Sequence, residues 1–286
     1  MGEPIYHVEN VDYSYPGGLS ALRDLRFSIQ ANERVAILGA NASGKSTLLH
    51  LLNGLHFPSR GRVRAFGVPL TEESVETLPF SRQFRRQVGF LFQNSDAQLF
   101  CTTVEEELAF GPLQLRLSAD AVRQRLEETL QLFEIGHLRD RSPQSLSGGE
   151  KKKVALASVF ICGPQVILLD EPSAGLDPRT QQWLVAFLDL LHRSGVTLVI
   201  ASHDLGFVTE TTERALVLSE EHRLLFDGAV PDALGNLDLL LSANLIRAHA
   251  HRPDPLAPLR LHIHETWHDH DSPTEKPGQG SLSEKP

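Results

Sequence analysis

The chain has 286 residues, 41% of them hydrophobic, which is enough to bury one large core and to carry an appendage. Its formal net charge is -9 and its basic residues are scattered, so a nucleic-acid backbone is excluded as the expected partner. The two cysteines, Cys101 and Cys162, are far apart and form no CxxC pair, which excludes a disulfide framework and favours a reducing compartment.

The N-terminal residues are typical of a small antiparallel β subdomain. Residues 5–18 and 22–33 have strand patterns on either side of a Pro-Gly-Gly turn, and residues 61–67 add another short strand.

Short aliphatic runs then alternate with helical patterns. The runs are VAILG, VGFLF, VILLD and TLVIAS, and helical patterns begin near Gly44, Arg179 and Asp204. Such alternation predicts an α/β fold with a buried parallel sheet. Residues 94–165 lack a strand pattern and predict an inserted α-helical subdomain. Its predicted helices are residues 103–110, 118–134 and 148–161.

The C-terminal region changes composition from Ala248 onward, where Pro, His and charged residues dominate. Such a segment cannot bury enough apolar surface to offset the entropy of ordering. We therefore predict a main domain over residues 1–235 and a C-terminal extension over 236–286 that ends in a mobile tail.

The first candidate site is a phosphate-binding loop, GANASGKST, which we name the phosphate loop (residues 39–47). It follows the strand run VAIL and opens a helix, which is the context that the pattern G-x-x-x-x-G-K-[ST] requires. Its backbone N–H groups can surround phosphate oxygens, Lys45 can reach the β and γ phosphates, and Ser46 can ligate Mg²⁺. The alternative is an ordinary glycine-rich strand-to-helix turn. The candidate nucleotide-binding residues are Gly39, Ala40, Asn41, Ala42, Ser43, Gly44, Lys45, Ser46 and Thr47.

Polar residues follow the other predicted strands. Gln93, Asp170, Glu171 and His203 come at or just after the ends of three runs. Ligands bind beyond the carboxyl ends of parallel strands, so these side chains should meet near the phosphate loop. Adjacent strand residues point to opposite faces, which assigns Asp170 to the Mg²⁺ shell and Glu171 to the attacking water. Taken singly, Gln93 or His203 could be an ordinary loop residue.

A second glycine-rich helix start is SLSGGE, which contains what we name the signature segment (residues 146–150). A hydroxyl group, two glycines and a helix N-terminus are the ingredients of an anion site. The alternative is that Ser147 is only a helix N-cap.

Taken together, these motifs resemble the ATPase subunit of an ABC transporter over about residues 5–228. The matching text is the phosphate loop, Gln93, LSGGE, VILLDEP, SAGLD and His203, in that order. The resemblance implies a P-loop NTPase fold with a parallel-sheet core, an N-terminal antiparallel β subdomain and an inserted helical subdomain. It also implies ATP and Mg²⁺ as cofactors.

The resemblance further implies a head-to-tail dimer with a second copy or a paralogous subunit, and it assigns several residues. The signature segment, with Ser147, Gly148, Gly149 and Glu150, contacts the nucleotide of the partner. Gln93 joins the Mg²⁺ ligands, Asp177 lies at the dimer contact, and His203 senses the γ-phosphate. Tyr15 stacks on adenine, with Tyr13 as the competing candidate. The chain departs from many family members at Glu150 and Lys153, where Gln and Arg are common.

Residues 89–112 resemble the energy-coupling-factor subgroup of importers, which take up vitamins or the metals cobalt and nickel. The resemblance implies a surface for integral membrane subunits over Asp96 to Phe110, which we name the docking segment (residues 96–110). The N-terminus has no secretory signal pattern, and apolar runs are shorter than the roughly 20 residues of a spanning helix. We expect a peripheral protein at the cytoplasmic face of the membrane.

Histidine pairs in the tail favour cobalt or nickel as the cargo. The pairs are His249 with His251, His262 with His264, and His268 with His270. Residues two apart in an extended chain share a face, and imidazole suits nickel, cobalt and zinc. A vitamin importer stays open, as does a soluble ABC ATPase of DNA repair or translation. The sequence lacks the coiled-coil insertion and the second cassette that those two soluble classes need.

Overall fold

The structure is a computed structural model that describes residues 3–251 and 260–264. The chain divides into two compact units, Met1–Leu245 and Ile246–Pro286. The strands of the first unit are β1 Tyr6–Ser14, β2 Ser20–Ile29, β3 Arg34–Leu38, β4 Arg60–Ala65, β5 Val68–Pro69, β6 Val88–Leu91, β7 Val166–Asp170, β8 Thr197–Ser202, β9 Arg214–Leu218 and β10 Leu224–Ala229. Its α-helices are α1 Lys45–Leu52, α2 Glu72–Glu76, α3 Phe80–Gln87, α4 Ser95–Gln98, α5 Val104–Gln114, α6 Ala119–Leu132, α7 Gly148–Phe160, α8 Pro178–Arg193, α9 Leu205–Thr211, α10 Val230–Gly235 and α11 Leu237–Ser242.

Two sheets organise the first unit. One is a four-stranded antiparallel sheet in the order β2-β1-β4-β5, with the turn after Tyr15 joining its first two strands. The other has six strands in the order β10-β9-β3-β8-β7-β6, of which all are parallel except β10. The predicted fold class is confirmed.

The six-stranded sheet separates two hydrophobic cores. Val166 and Leu168 of β7 pack with α1 and the antiparallel sheet, whereas Ile167 and Leu169 pack with the inserted helices and α8. Successive strand side chains point to opposite faces, so a continuous apolar run marks a strand that is buried on both faces. Because β3, β6, β7 and β8 are parallel, their carboxyl ends lie at the same edge of the sheet.

The predicted helices of the inserted region occur as α5, α6 and α7, each with a polar N-cap. Thr103, Ser118 and Ser147 accept hydrogen bonds from backbone N–H groups three residues later. The elements that were not predicted include helices α2 and α3 between β4 and β6, and the hairpin of β9 and β10. The side chains of α3 are mostly polar and only Phe84 is buried, so its sequence lacks a helical apolar stripe.

The second unit contains one antiparallel pair, β11 Arg247–His251 with β12 Arg260–His264. Its register places His249 opposite His262 and Arg247 opposite His264. This pairing differs from the predicted mobile tail at these positions. The predicted metal-binding residues His268 and His270 lie outside the described residues. Among residues 3–251 and 260–264, no helix combines the length and apolar character that a membrane crossing needs.

Candidate active site

The phosphate loop runs from the end of β3 to the start of α1, and two of its glycines are required by close packing. Gly44 has a φ of 106°, and a Cβ there would overlap the carbonyl oxygen of Ala21 and lie 2.8 Å from Leu22 Cδ2. A Cβ on Gly39 would overlap Ser43 Oγ. The loop can therefore adopt this conformation against β2 and Ser43 only because these two positions carry no side chain.

Lys45, the first residue of α1, folds back over this loop. Its Nζ donates hydrogen bonds to the carbonyl oxygens of Gly39 at 2.8 Å and Ala40 at 3.1 Å, and it lies 3.6 Å from Glu171 Oε1. The residue is only 6% exposed. Burial lowers the pKa of Lys45, and the carboxylates of Glu171 and Asp170 oppose that shift. An ammonium group thus lies at the loop with two carboxylates beside it.

The carboxylate of Asp170, which ends β7, and that of Glu171, which follows it, lie in different environments. Asp170 is 4% exposed, and its Oδ1 has no hydrogen-bond partner among the described residues. Burial raises the pKa of Asp170, while a hydrogen bond with Ser46 and the cations of Lys45 and Lys152 lower it. Asp170 is therefore a buried carboxylate beside the first turn of α1, and one of its oxygens has no partner among the described residues.

Glu171 follows Asp170 and contacts the next strand. Its backbone N–H donates to the carbonyl of Ala201 at 2.9 Å, and Ser202 Oγ lies 3.4 Å from its Oε2. Its Oε1 lies 2.9 Å from Nδ1 of His203, whose side chain is 56% exposed. The ends of β7 and β8 and the start of α1 are thus joined through the carboxylate of Glu171.

A cavity of about 520 Å³, which we name the phosphate-loop cavity, opens at this edge of the sheet. Residues from the predicted set and from outside it line the wall: Tyr15, Leu19, Ser20, Ala21, Asn41, Ala42, Gly44, Lys45, Ser46, Thr47, Gln93, Glu171 and His222. Asp170 and His203 do not line the cavity; Asp170 contacts Ser46 and His203 contacts Glu171. Gly39, Ala40 and Ser43 of the phosphate loop do not line the cavity either.

Tyr15 forms part of the cavity wall, whereas Tyr13 is buried behind it. The hydroxyl of Tyr15 is 2.8 Å from Thr47 Oγ1, and its ring meets the ring of Tyr13 edge to face at 5.1 Å. Tyr13 is 8% exposed and stacks on His56 at 5.2 Å. Of the two predicted candidates, Tyr15 has the ring that a ligand in the cavity can reach.

Four residues that line the phosphate-loop cavity were not predicted: Leu19, Ser20, Ala21 and His222. Leu19 and His222 come from two different turns. Leu19 belongs to the turn between β1 and β2 and is 70% exposed. His222 belongs to the turn between β9 and β10, where its Nδ1 is 3.3 Å from the carbonyl oxygen of Ser43. The backbone N–H of Arg23 donates to the carbonyl of His222 at 2.9 Å and joins that turn to β2. No local sequence pattern distinguishes either residue from an ordinary turn residue.

The signature segment lies in a second cavity of about 630 Å³, which we name the signature cavity. Its lining is formed by residues around the starts of α7 and α8: Glu134, Ile135, His137, Leu138, Ser147, Gly148, Gly149, Glu150, Lys153, Gly175, Asp177, Arg179, Thr180 and Trp183. None of these residues lines the phosphate-loop cavity. The two glycine-rich helix starts of one chain are therefore separate sites.

The start of α7 is a capping box. Ser147 Oγ accepts from the N–H of Glu150 at 3.4 Å, while Glu150 Oε2 accepts from the N–H of Ser147 at 2.8 Å and from its hydroxyl at 2.7 Å. These hydrogen bonds lower the pKa of Glu150. Ser147 is thus an N-cap, as the structural alternative predicted. Ser147 and Gly148 are also exposed, so a ligand can still contact them.

The two glycines of the signature segment differ in their surroundings. A Cβ on Gly149 would lie 3.1 Å from Thr180 Oγ1, next to Asp177, which caps α8. A Cβ on Gly148 would meet nothing within 4 Å. Within the part of the chain that is described, packing does not require a glycine at position 148, so the exposed backbone there is open to an external group.

Gln93 is exposed at the phosphate-loop cavity, and its backbone carbonyl is held by the helix of the signature segment. Lys152 Nζ of α7 donates to Gln93 O at 3.2 Å. Lys152 is 4% exposed. Burial lowers the pKa of its ammonium group, whereas the negative charge of Asp170 raises it.

The docking segment contains an exposed aromatic pair. Phe100 is 63% exposed and Phe110 is 42% exposed, and their rings meet edge to face at 4.9 Å. Glu107 is buried and accepts the backbone N–H groups of Phe100 and Cys101, which fixes the turn before α5. An exposed aromatic pair thus lies where this turn meets α5.

Comparisons with known proteins match the chain to transporter ATP-binding proteins. The family model described as ABC transporter matches residues 22–174, which is just over half of the chain. A protein of Methanosarcina acetivorans named only as an ABC transporter ATP-binding protein is 50% identical over 86% of this chain and 91% of its own length. The nickel import ATP-binding protein NikO of Rhodobacter capsulatus is 44% identical over 85% of this chain and 96% of its own. The energy-coupling factor transporter ATP-binding protein EcfA1 of Methanospirillum hungatei is 38% identical over 84% and 85%.

Solved structures agree in fold. The protein cbiO1 of Clostridium perfringens, described as part of the ABC transporter complex cbiONQ, superposes with a TM-score of 0.73 at 33% identity, covering 85% of this chain and 96% of that one. The ATP-binding cassette MJ0796, described as a dimer in a post-hydrolysis state bound to ADP and Pi, superposes with a TM-score of 0.71 at 26% identity, covering 79% and 98%.

Proposed function

The chain belongs to the family of ABC transporter ATP-binding proteins, and from that premise we propose that it is the ATPase of an energy-coupling-factor importer that takes up nickel or cobalt. The chain binds and hydrolyses ATP. In the proposal, two copies, or one copy and a paralogue, close head to tail around two ATP molecules and act on a membrane partner.

The main support for the proposed dimer is that the two cavities of one chain are separate. The phosphate-loop cavity and the signature cavity share no lining residue, so Ser147 and Gly148 do not complete the site that contains Lys45 of the same chain. The start of α7 exposes backbone N–H groups, and a helix N-terminus favours an anion. A second chain in the opposite orientation would bring this start to the γ-phosphate held by the first chain.

Magnesium fits the residues at the carboxyl end of β7. Mg²⁺ prefers oxygen ligands and binds through one or two carboxylates together with phosphate oxygens and water. Asp170 offers a buried Oδ1 that lacks a partner among the described residues, next to the hydroxyl of Ser46. Ser46, Asp170 and the side chain of Gln93 would hold the ion. When bound, it would neutralise charge on the phosphates during transfer.

Hydrolysis can be assigned to groups that already lie together. Lys45 would exchange its bonds to Gly39 and Ala40 for phosphate oxygens, which are better partners for an ammonium group. Glu171 would orient the attacking water and accept its proton, and His203 would hold the Glu171 carboxylate and sense the γ-phosphate. Tyr15 would stack on the base at the outer wall of the cavity.

The docking segment is the proposed contact with the integral membrane subunits. The exposed rings of Phe100 and Phe110 offer an apolar anchor, and aromatic anchors dominate the binding energy of many interfaces. This contact would make the protein peripheral at the cytoplasmic face.

The proposed cargo rests on two observations of different kinds. NikO, which is named for nickel import, is 44% identical to this chain. The C-terminal region of this chain carries His249, His251, His262, His264, His268 and His270. Imidazole is a suitable ligand for nickel and cobalt.

Reconstitution tests the proposal. The protein is purified with the membrane proteins that accompany it, placed in vesicles, and assayed for ATP-driven uptake of nickel, cobalt and a panel of vitamins. Nickel or cobalt uptake supports the proposal, and vitamin uptake would replace the metal cargo. Recovery with ribosomes or DNA instead of a membrane protein would contradict transport altogether.

The metal-binding tail is tested separately, by equilibrium dialysis of the full chain with nickel. A variant with the six tail histidines changed to alanine is the control. An affinity of the parent protein no better than millimolar, or equal binding by the variant, would end this part of the proposal.

A further inference from the structure

Lys152 is a buried cation that the reaction above does not use. It lies on α7, three residues after Gly149, and it is 4% exposed. Among the described residues, the hydrogen bond of its Nζ goes to the backbone carbonyl of Gln93 at 3.2 Å. The charge of Asp170 also stabilises this cation. Burying an ammonium group is nevertheless costly, and an apolar side chain of similar size would often be about as stable.

The side chain of Gln98 also connects the backbone near Gln93 to α7. Gln98 Nε2 donates to the carbonyl of Ala155 at 3.1 Å, and Gln98 Oε1 accepts the N–H of Phe92 at 3.1 Å. The backbone of Phe92, next to Gln93, is therefore connected to α7 through the side chain of Gln98. Lys152 binds the carbonyl of Gln93 itself, the residue whose side chain lines the phosphate-loop cavity.

The same helix presents Ser147 and Gly148 to the signature cavity. The hydrogen bond from Lys152 to Gln93 thus connects a residue that lines the phosphate-loop cavity to the helix that lines the signature cavity. A displacement of Gln93 must move α7 or break this bond, because Lys152 is held in the core and cannot follow the carbonyl freely.

We infer that Lys152 is a positioning residue that couples the two cavities of one chain, by holding the start of α7 in register with Gln93. The inference rests on the proposed head-to-tail dimer. The state of Gln93 at one nucleotide is then transmitted to the signature segment, which serves the other nucleotide. Lys152 itself touches neither nucleotide.

Three variants test the coupling. Lys152→Met is one heavy atom shorter than lysine and has no donor, whereas Lys152→Gln has the reach of methionine and keeps a neutral donor. Lys151→Met is the matched control, because Lys151 is the neighbouring lysine on α7 and makes a partly exposed pair with Asp96 at 2.5 Å. For each protein, ATP affinity, kcat, ATP-driven dimerisation and Tm are measured.

The coupling role predicts a split between stability and turnover. Lys152→Met keeps or raises Tm and leaves the Kd for ATP of the isolated chain unchanged, while kcat and dimerisation fall about tenfold, the typical loss for one hydrogen bond to a charged group. Lys152→Gln recovers part of this loss, and Lys151→Met stays within about twofold of the parent protein.

The possible failures can be told apart. If the parent protein dimerises with ATP and hydrolyses it while Lys152→Met equals it in kcat and dimerisation, the coupling role is wrong and the dimer stands. A fall in Tm that accompanies the loss of kcat and is not relieved in Lys152→Gln would reduce Lys152 to a structural residue. A parent protein that never pairs would instead overturn the proposed function.

Discussion

Glu171 lies in a backbone conformation that a glutamate rarely adopts, with a φ of 44°. A non-glycine residue in the left-handed region costs of the order of 1 kcal/mol or more, and such strain persists where the surroundings fix it. Here the surroundings are the bond from its N–H to Ala201 and the contact of its carboxylate with His203. The conformation turns the carboxylate toward Lys45 instead of continuing β7.

The proposed base predicts the behaviour of Glu171→Gln. The amide keeps the size of the side chain and its contacts but cannot accept a proton from water, so kcat should fall by about 10²- to 10⁴-fold while ATP still binds. Turnover is measured by phosphate release and binding by calorimetry. Near-normal turnover would refute the assignment.

The wall position of Tyr15 predicts a difference between two replacements. Tyr15→Phe keeps the ring and loses only the bond to Thr47, so the Kd for ATP should stay within about threefold. Tyr15→Ala removes the stacking surface and should weaken binding by about 1 to 3 kcal/mol. Calorimetry with ATP and with a triphosphate that lacks a base separates stacking from phosphate contacts. An equal loss for both ligands would argue against stacking.

Much of the candidate site could be predicted because its residues belong to motifs, or follow strand runs, whose spacing determines where the side chains lie. Lys45 belongs to a loop whose spacing fixes where the ammonium lies, and Glu171 follows a run that is apolar on both faces. Leu19 and His222 could not be predicted, because each belongs to a turn that reaches the cavity through tertiary packing. The roles of all these residues remain predictions.

At the scale of elements, the longer capped helices and most strands with buried runs could be predicted, whereas the short capped helix α2 and the buried strand β9 were not. Thr103 and Ser118 mark the starts of α5 and α6 in the sequence as clearly as in the structure. Helix α3 lacks an apolar stripe, and strand β10 alternates between half-buried and exposed residues at the edge of the sheet. Their formation depends on neighbours that are distant in sequence.

The start of α7 gives a prediction in which stability and function move in opposite directions. Gly148→Ala adds a methyl group into open space within a helix, so the variant should be as stable as the parent protein or more stable by up to about 1 kcal/mol. The same methyl group would keep a phosphate from the backbone, so ATP-driven pairing and hydrolysis should be lost.

The matched control is Gly235→Ala, at a helical glycine of α10 whose Cβ also meets nothing within 4 Å. Chemical denaturation measures the free energy of unfolding, and light scattering with ATP measures pairing. Normal pairing of Gly148→Ala would contradict a contact between this backbone and the nucleotide of a partner.

At the scale of the whole molecule, each chain carries both halves of the proposed composite site. Lys45 and Glu171 lie at one cavity, and Ser147 and Gly148 lie at another. A homodimer would then have two competent sites related by a twofold axis, as is common for soluble oligomers. The exposed docking segment would occur twice and could contact a membrane partner on both sides.

The separation of the cavities means that two inactive proteins should rescue each other. A Lys45→Ala chain has lost its own phosphate loop but keeps α7, and a Gly148→Ala chain has the reverse defect. When equal amounts are mixed, the hybrid contains one site built wholly from undamaged halves, so about a quarter of the parent activity should return by random pairing. Steady-state phosphate release from the mixture and from each protein alone measures this complementation. If the mixture releases no more phosphate than each protein alone, each chain works with its own signature segment or not at all.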